Sequence, residues 1–171
     1  MRYFFFVEGG SDEYFFRRLP KLEVYDIKII EYAKLTIEKV NGYLKSLEGC
    51  GTPYTFFADA DQSSVDEKID KIFQKYNKVS RERICIVERE IESWYMAGVD
   101  KKFCNISKIK FCRDANEFTK EDFENFLLKC KLERWELEEK IMNAFQIKYA
   151  AGRNRTYNYF YESGKMCRLL Y

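Results

Sequence analysis

Short apolar runs and longer amphipathic stretches take turns over residues 1–98 of the chain. Tyr3-Phe4-Phe5-Phe6-Val7 holds no polar break, and its aromatic and β-branched content predicts a buried strand. The run stops at Glu8-Gly9-Gly10, and Ser11-Asp12-Glu13 then offers an N-cap followed by first-turn acids. That helix is expected to reach about Leu19, before Pro20. A second strand is expected over residues 25–32. Across 36–47, Ile37, Val40, Tyr43, Leu44 and Leu47 recur at helical spacing. Residues 49–53 are turn chemistry, and Tyr54-Thr55-Phe56-Phe57-Ala58 is a third strand ending at Asp59-Ala60-Asp61. Ser63 or Ser64 caps a helix whose buried face is expected to hold Val65, Ile69, Ile72 and Phe73. Ile84-Cys85-Ile86-Val87 is a fourth strand, followed by a helix over 90–97. This alternation predicts an α/β fold with a mostly parallel four-stranded sheet flanked by helices.

Beyond Gly98 the strand signals end. Thr119 is placed to cap a helix carrying Phe123, Phe126, Leu127 and Cys130 on one face. Further helices are expected over 135–149 and 157–170. Residues 1–98 therefore read as an α/β core and 99–171 as a helical extension packed on it, one domain overall. A length of 171 residues fits that count and is short for two sizeable domains. With 46% hydrophobic and 34% charged residues, a packed core with a solvated surface is expected rather than disorder.

Composition then narrows the chemistry. The chain has no histidine, which excludes Ser-His-Asp and Cys-His mechanisms and a histidine general base. Carboxylates, lysine, tyrosine, cysteine and a metal ion remain. The 6 cysteines show no C-x-x-C spacing, so a Cys/His zinc site has no support. No signal peptide precedes the first strand and no apolar run reaches the ~18 residues of a membrane span. Reduced thiols in a cytoplasmic protein, away from any membrane, are the expectation.

A net charge of +2 neither demands nor excludes a nucleic-acid partner. Residues 148–168 nonetheless hold five Lys/Arg and one acid, Glu162. Gly152 interrupts the helical pattern there, so Arg153 and Arg155 are expected on a loop. Folded over an acidic site, that loop would let Arg153, Arg155 and Lys148 hold phosphate oxygens. The bland alternative is a solvated loop. Phe and Tyr together number 28, and part of that surface would suit an interface between copies or with a partner protein.

Ligands of open parallel sheets bind at the carboxyl ends of the strands. Glu8 and Asp59 fall there on the first and third strands, and Asp61 follows on the loop. Carboxylates gathered from separate strands repel one another unless a cation neutralises them. All-oxygen donors without His or Cys suit Mg²⁺ or Mn²⁺. Gly9 and Gly10, lacking a Cβ, would let a phosphate come close. Each acid also has a plain alternative: a solvated strand end for Glu8, a turn start for Asp59 and Asp61, a helix first-turn acid for Asp12, and an ion pair with a nearby Lys or Arg for Glu92.

Val7-Glu8-Gly9-Gly10-Ser11-Asp12 resembles the E-G-x-x-D motif of Toprim domains, and Ala58-Asp59-Ala60-Asp61 resembles their D-x-D motif. That family comprises metal-dependent domains of topoisomerases, bacterial primases, RNA-maturation nucleases and overcoming-lysogenization-defect (OLD) nucleases. The resemblance covers residues 1–98. Ile91-Glu92-Ser93-Trp94 is similar to the I-E-x-W stretch of OLD-type Toprim domains and stand-alone Toprim-like bacterial proteins. It implies Glu8, Asp59 and Asp61 as catalytic metal ligands, Asp12 as a second-site ligand, and one of Glu88, Glu90 and Glu92 as the remaining acid. The long ATPase portion of OLD proteins has no counterpart here. Two functions follow from the resemblance. One is a Mg²⁺-dependent nuclease acting on DNA or RNA. The other is a non-catalytic nucleic-acid-binding or regulatory module.

Overall fold

The computed structural model describes residues 2–20, 22 and 25–162. Among these, β1 (Tyr3–Val7), β2 (Ile27–Glu31), β3 (Tyr54–Asp59) and β4 (Ile84–Val87) form one all-parallel sheet in the order β2-β1-β3-β4. The helices are α1 (Gly10–Arg18), α2 (Ile37–Gly49), α3 (Val65–Lys75), α4 (Ile91–Ala97), α5 (Lys101–Ile106), α6 (Lys120–Cys130), α7 (Arg134–Ala144), α8 (Ile147–Ala151) and α9 (Arg155–Glu162). This is a Rossmann-like α/β fold with a helical C-terminal region.

The unbroken apolar strands make sense because both sheet faces are covered. On one face Phe6, Phe56, Ala58, Ile84 and Ile86 meet Val40, Leu44 and Leu47 of α2 and Ile72 of α3. On the other, Phe5, Val7, Phe57, Cys85 and Val87 meet α1, α4 and residues of α6, α7 and α9 in one continuous core. Phe16 of α1 lies 4.4 Å from Phe57 between ring centroids, and Trp94 of α4 stacks on Phe160 of α9 at 5.4 Å. The period of two along each strand sends alternate side chains into these two cores.

Several boundaries differ from the sequence reading, each for a physical reason. Helix α1 starts before Ser11: Gly9 takes the N-cap position, and the Asp12 carboxylate accepts the Gly9 N–H at 3.0 Å. Strand β2 ends at Glu31, and Tyr32 opens a 3₁₀ turn. In α3, Ser64 is the cap, with Glu67 closing a capping box. Val65 and Phe73 are exposed, because α3 lies along the edge strand β4 and only one narrow side is covered. The Arg81 guanidinium sits 4.5 Å from the Phe73 ring. The helix expected over 135–149 is two helices. Gln146 leaves the helix to donate its N–H to Gly98 O at 2.9 Å, and the Phe145 ring sits against Gly98. Helix α5, capped by Asp100, had no clear signal. The last helix begins at Arg155, and its expected continuation to residue 170 lies outside the described residues.

Among the described residues no helix is long and apolar enough to cross a membrane. Cys50, Cys104, Cys112 and Cys130 are free thiols.

Candidate functional site

The chain moves outward from β1 to β2 and then returns past β1 to β3, so its topological switch point lies between β1 and β3. A crevice opens beyond the carboxyl ends of the strands at such a point. Glu8 follows β1 and Asp59 ends β3 there. The β1–β3 register pairs Phe6 with Phe56, which sets Glu8 level with Ala58, one residue from Asp59.

Two loops meet at this end of the sheet. Ala60 N–H donates to Val87 O at 2.8 Å and Asp61 N–H to Arg89 O at 3.2 Å. Asp61 and Arg89 both take left-handed backbone, with φ of 53° and 60°. Asp tolerates that region through its short polar side chain, whereas Arg89 is held there by the fold, and such conformations gather at functional sites. Asp61 is exposed and pairs with Lys68 of α3 at 2.7 Å. A cleft of about 210 Å³ lies here, lined by Asp61, Ser63, Ser64, Glu88, Arg89 and Glu117 among others.

The electrostatics converge more tightly than the contacts do. Glu8 is exposed and accepts a hydrogen bond from the Tyr32 hydroxyl at 3.3 Å. Asp12 is only 6% exposed. Burial pushes its carboxyl up to about 7; the Gly9 amide works against this, and the charges of Glu8 and Glu92 add to it. Asp59 is held well above the usual carboxylate range by burial, then by the charges of Asp12, Glu8, Glu92 and Asp61. One of its oxygens, Oδ1, is buried with no hydrogen-bond partner. Burial and the charges of Glu8, Asp59 and Asp12 also raise the Tyr32 phenol, leaving it a neutral donor. A buried carboxylate oxygen without a donor is costly, and a field of like charges multiplies that cost.

Of the three competing glutamates, Glu92 enters this field. It is 4% exposed, whereas Glu90 accepts the Lys120 N–H at 2.7 Å and Glu88 pairs with Arg155. Glu92 also takes the ion pair that was its plain alternative, within a layer whose members the sequence did not single out. Arg134 Nη1 of α7 lies 2.7 Å from Glu92 Oε1 and 3.6 Å from Glu138 Oε1, and its other terminal nitrogen meets Glu124. Glu138, also 4% exposed, accepts the Ser11 hydroxyl at 2.9 Å. The Tyr95 hydroxyl donates to Ser11 O at 2.9 Å, fixing the first turn of α1. The available signal was Glu138 lying between Leu137 and Ile141 on the apolar side of a helix, four residues after Arg134.

The basic candidates do not gather over the acids. Arg153 turns inward and donates to the carbonyls of Met96 (3.1 Å), Ala97 (2.9 Å), Val99 (2.6 Å), Arg113 (3.2 Å) and Cys112. These carbonyls belong to the end of α4, to Val99 just beyond it and to the loop before Ala115, so Arg153 secures chain segments rather than offering a free fork. Arg155 opens α9 instead of lying on a loop, and its guanidinium grips Glu88 in a bidentate pair. Lys148 is exposed on α8. A Cβ on Gly9 or Gly10 would meet nothing within 4 Å. The fold imposes no glycine at either position, and the backbone there is open to approach.

Glu8, Asp59 and Asp61 stand at adjacent strand ends, but they do not close on one point. Among the described residues no three His, Cys, Asp or Glu side chains are grouped closely enough to hold an ion together. Asp61 is drawn toward Lys68 and Glu8 toward Tyr32. The donor set is nonetheless all oxygen, it includes an unpartnered buried oxygen, and Mg²⁺ commonly uses only one or two carboxylates with water and substrate phosphate. Comparison of the chain with protein-family models, curated proteins and solved structures gave no match.

Proposed function

We propose that this protein is a Mg²⁺- or Mn²⁺-dependent phosphodiester-processing protein of Toprim type, a nuclease acting on nucleic acid. The observation that carries this reading is the unpartnered buried oxygen of Asp59, at the switch point and inside the field of Glu8, Asp12 and Glu92. A cation is the simplest species that would satisfy both the oxygen and the field. Glu8 and Asp59 are the residues that would hold it, with Asp61 and Asp12 at its margins and Glu92 behind. Bound there, a divalent ion would polarise a phosphoryl oxygen and make a coordinated water more acidic.

The chain's own groups have distinct tasks in this reading. Gly9 and Gly10 leave the backbone after β1 open to a phosphate. Tyr32 orients Glu8 through its hydroxyl. Arg134 carries the charge of Glu92 and Glu138 so that this layer stays in place. Asp12, with a carboxyl near neutrality, can hold or release a proton at working pH.

Labelled DNA and RNA, single- and double-stranded, incubated with Mg²⁺ or Mn²⁺, test the proposal. Cleavage should stop in EDTA and fall on the order of a hundredfold or more in Asp59→Asn. Equal cleavage by wild type and an Asp59→Ala, Asp61→Ala double variant would sink it. The separation of the three carboxylates favours one other reading, a Toprim-like module that binds nucleic acid without turnover. Tight binding with no cleavage under either metal would decide for that module.

A further inference from the structure

Beyond the Glu88–Arg155 ion pair lies a second and larger cleft, of about 360 Å³. Its walls include Arg113, Asp114, Asn116, Arg153, Arg155 and Asn158. Three guanidiniums against one carboxylate give the lining a formal charge of +2 (3 − 1). The donors are well spread. Asn116 holds the first turn of α9 by accepting the Arg155 N–H at 2.8 Å. Asp114, the opposing acid, is engaged on Oδ1 by the Asn116 backbone N–H at 2.9 Å and by its side-chain amide.

Arg153 gives the cleft its character. Its donors go to neutral carbonyls, and among the described residues it forms no ion pair. A guanidinium held in this way keeps its formal positive charge in the wall behind the cleft, offset by carbonyl dipoles and by Asp114 but by no ion pair. Arg113 is exposed at the rim and likewise forms no ion pair among the described residues. Arg155 presents the planar fork that suits a phosphate as well as a carboxylate. Its present partner Glu88 lines the acidic cleft beside Asp61, so this single ion pair is the partition between the two clefts. Arg155 spends Nε and one terminal nitrogen on Glu88, and with 75% of its side-chain surface in solvent it can offer its other terminal nitrogen to a phosphate while the pair stands.

We infer that the cleft between Arg113 and Arg155 binds a backbone phosphate of a nucleic-acid strand, next along the chain from the phosphate at the acidic centre. The inference rests on the phosphodiester reading above and adds the direction in which the strand leaves that centre, across Glu88 toward α9. Arg113 and Arg155 contact the phosphate, and Arg153 supplies fixed charge beneath. At about 360 Å³ the cleft falls at the small end of ligand-sized sites, room for a phosphate with its sugar.

Fluorescence anisotropy with short labelled single-stranded and duplex oligonucleotides in EDTA isolates binding from cleavage. The variants are an Arg113→Gln, Arg155→Gln double, Lys129→Gln on the exposed face of α6 as a control, and Asp59→Asn. The double variant should bind more weakly, with its log-log salt slope for single strands lower by about 0.7, the value for one lost phosphate contact. Lys129→Gln should leave the slope unchanged, and Asp59→Asn should bind while failing to cleave. Matching thermal melts establish that the double variant is folded. An unchanged affinity and slope in the folded double variant would overturn the cleft assignment and leave the acidic centre standing. Wild-type protein that neither binds nor cleaves would remove both. Competition by AMP or inorganic phosphate at the oligonucleotide's own concentration would make this a small-anion site and overturn the backbone assignment.

Discussion

Asp12 and Asp59 hold protons that their environment makes hard to give up. Asp12 keeps its proton in the fold up to about 7, while the same side chain in an unfolded chain ionises near 3.8. Between those values the native state binds one more proton than the unfolded state, so stability falls as pH rises. The slope is about 1.4 kcal/mol per pH unit for each such group. Asp59 is shifted in the same direction and adds to the fall. Carboxyls pulled the other way, such as Glu48 by its Ser80 hydrogen bond and Glu67 by the Ser64 amide, act below their ordinary range and leave this window alone. Thermal melts in EDTA should therefore show a melting temperature that drops between about pH 5 and 7. The drop should be shallower in Asp12→Asn, which keeps an acceptor for the Gly9 amide. Mg²⁺ should flatten it in wild type. A melting temperature that climbs through this window would contradict the assignment.

Among the secondary-structure elements, α4 is the one the site depends on most. All of Ile91–Ala97 is buried, and the helix ends at Gly98 with no room to spare. A Cβ on Gly98 would lie 2.2 Å from the ring of Phe145, well inside any tolerable contact. Phe145 in turn breaks the run between α7 and α8, and its ring packs 5.4 Å from Phe15. Gly98→Ala should thus cost roughly 1–3 kcal/mol through overpacking. In the double variant with Phe145→Leu the added penalty of the alanine should shrink, because the ring that it strikes is gone. Denaturant melts of the four proteins in this cycle measure the coupling. Strictly additive costs would show that the close approach is absorbed elsewhere.

Across the whole molecule, the acidic centre and the helical region are parts of one structure. Arg134 on α7 reaches Glu92 on α4 and Glu138 on its own helix, while Ser11 on α1 closes the circuit. Replacing Arg134 by Gln strands two carboxylates that are each 4% exposed. The cost should be roughly 2–4 kcal/mol, below that of a fully buried pair because Arg134 keeps 28% of its side-chain surface in solvent. Adding Glu138→Gln should return part of it. A melt of Arg134→Gln within a degree of wild type would show that Arg134 is a bystander and that the helical region does not support the site.

The strand and helix assignments were legible because they are encoded locally. An unbroken run such as Tyr3 to Val7 has few other readings, and the caps at Ser64 and Thr119 are set by residues three apart. Glu8 and Asp59 could be placed at strand ends for the same reason, since a strand's carboxyl end is visible wherever its apolar run stops. Partnership was not visible. Glu92 was one of three equivalent glutamates until Arg134, 42 positions away, came to lie against it. Arg153 looked like a free cation until carbonyls more than fifty positions back took its donors. The split between α7 and α8 likewise answers to Gly98, not to any breaker in the run itself. By itself, then, the amino-acid order determined the four strands, most of the helices, their alternation and which carboxylates stand at the end of the sheet, all consequences of periodicity over a few residues. Tertiary structure alone decided which charges are buried, which are paired and which are not. Those properties depend on desolvation and on neighbours brought in from distant parts of the chain.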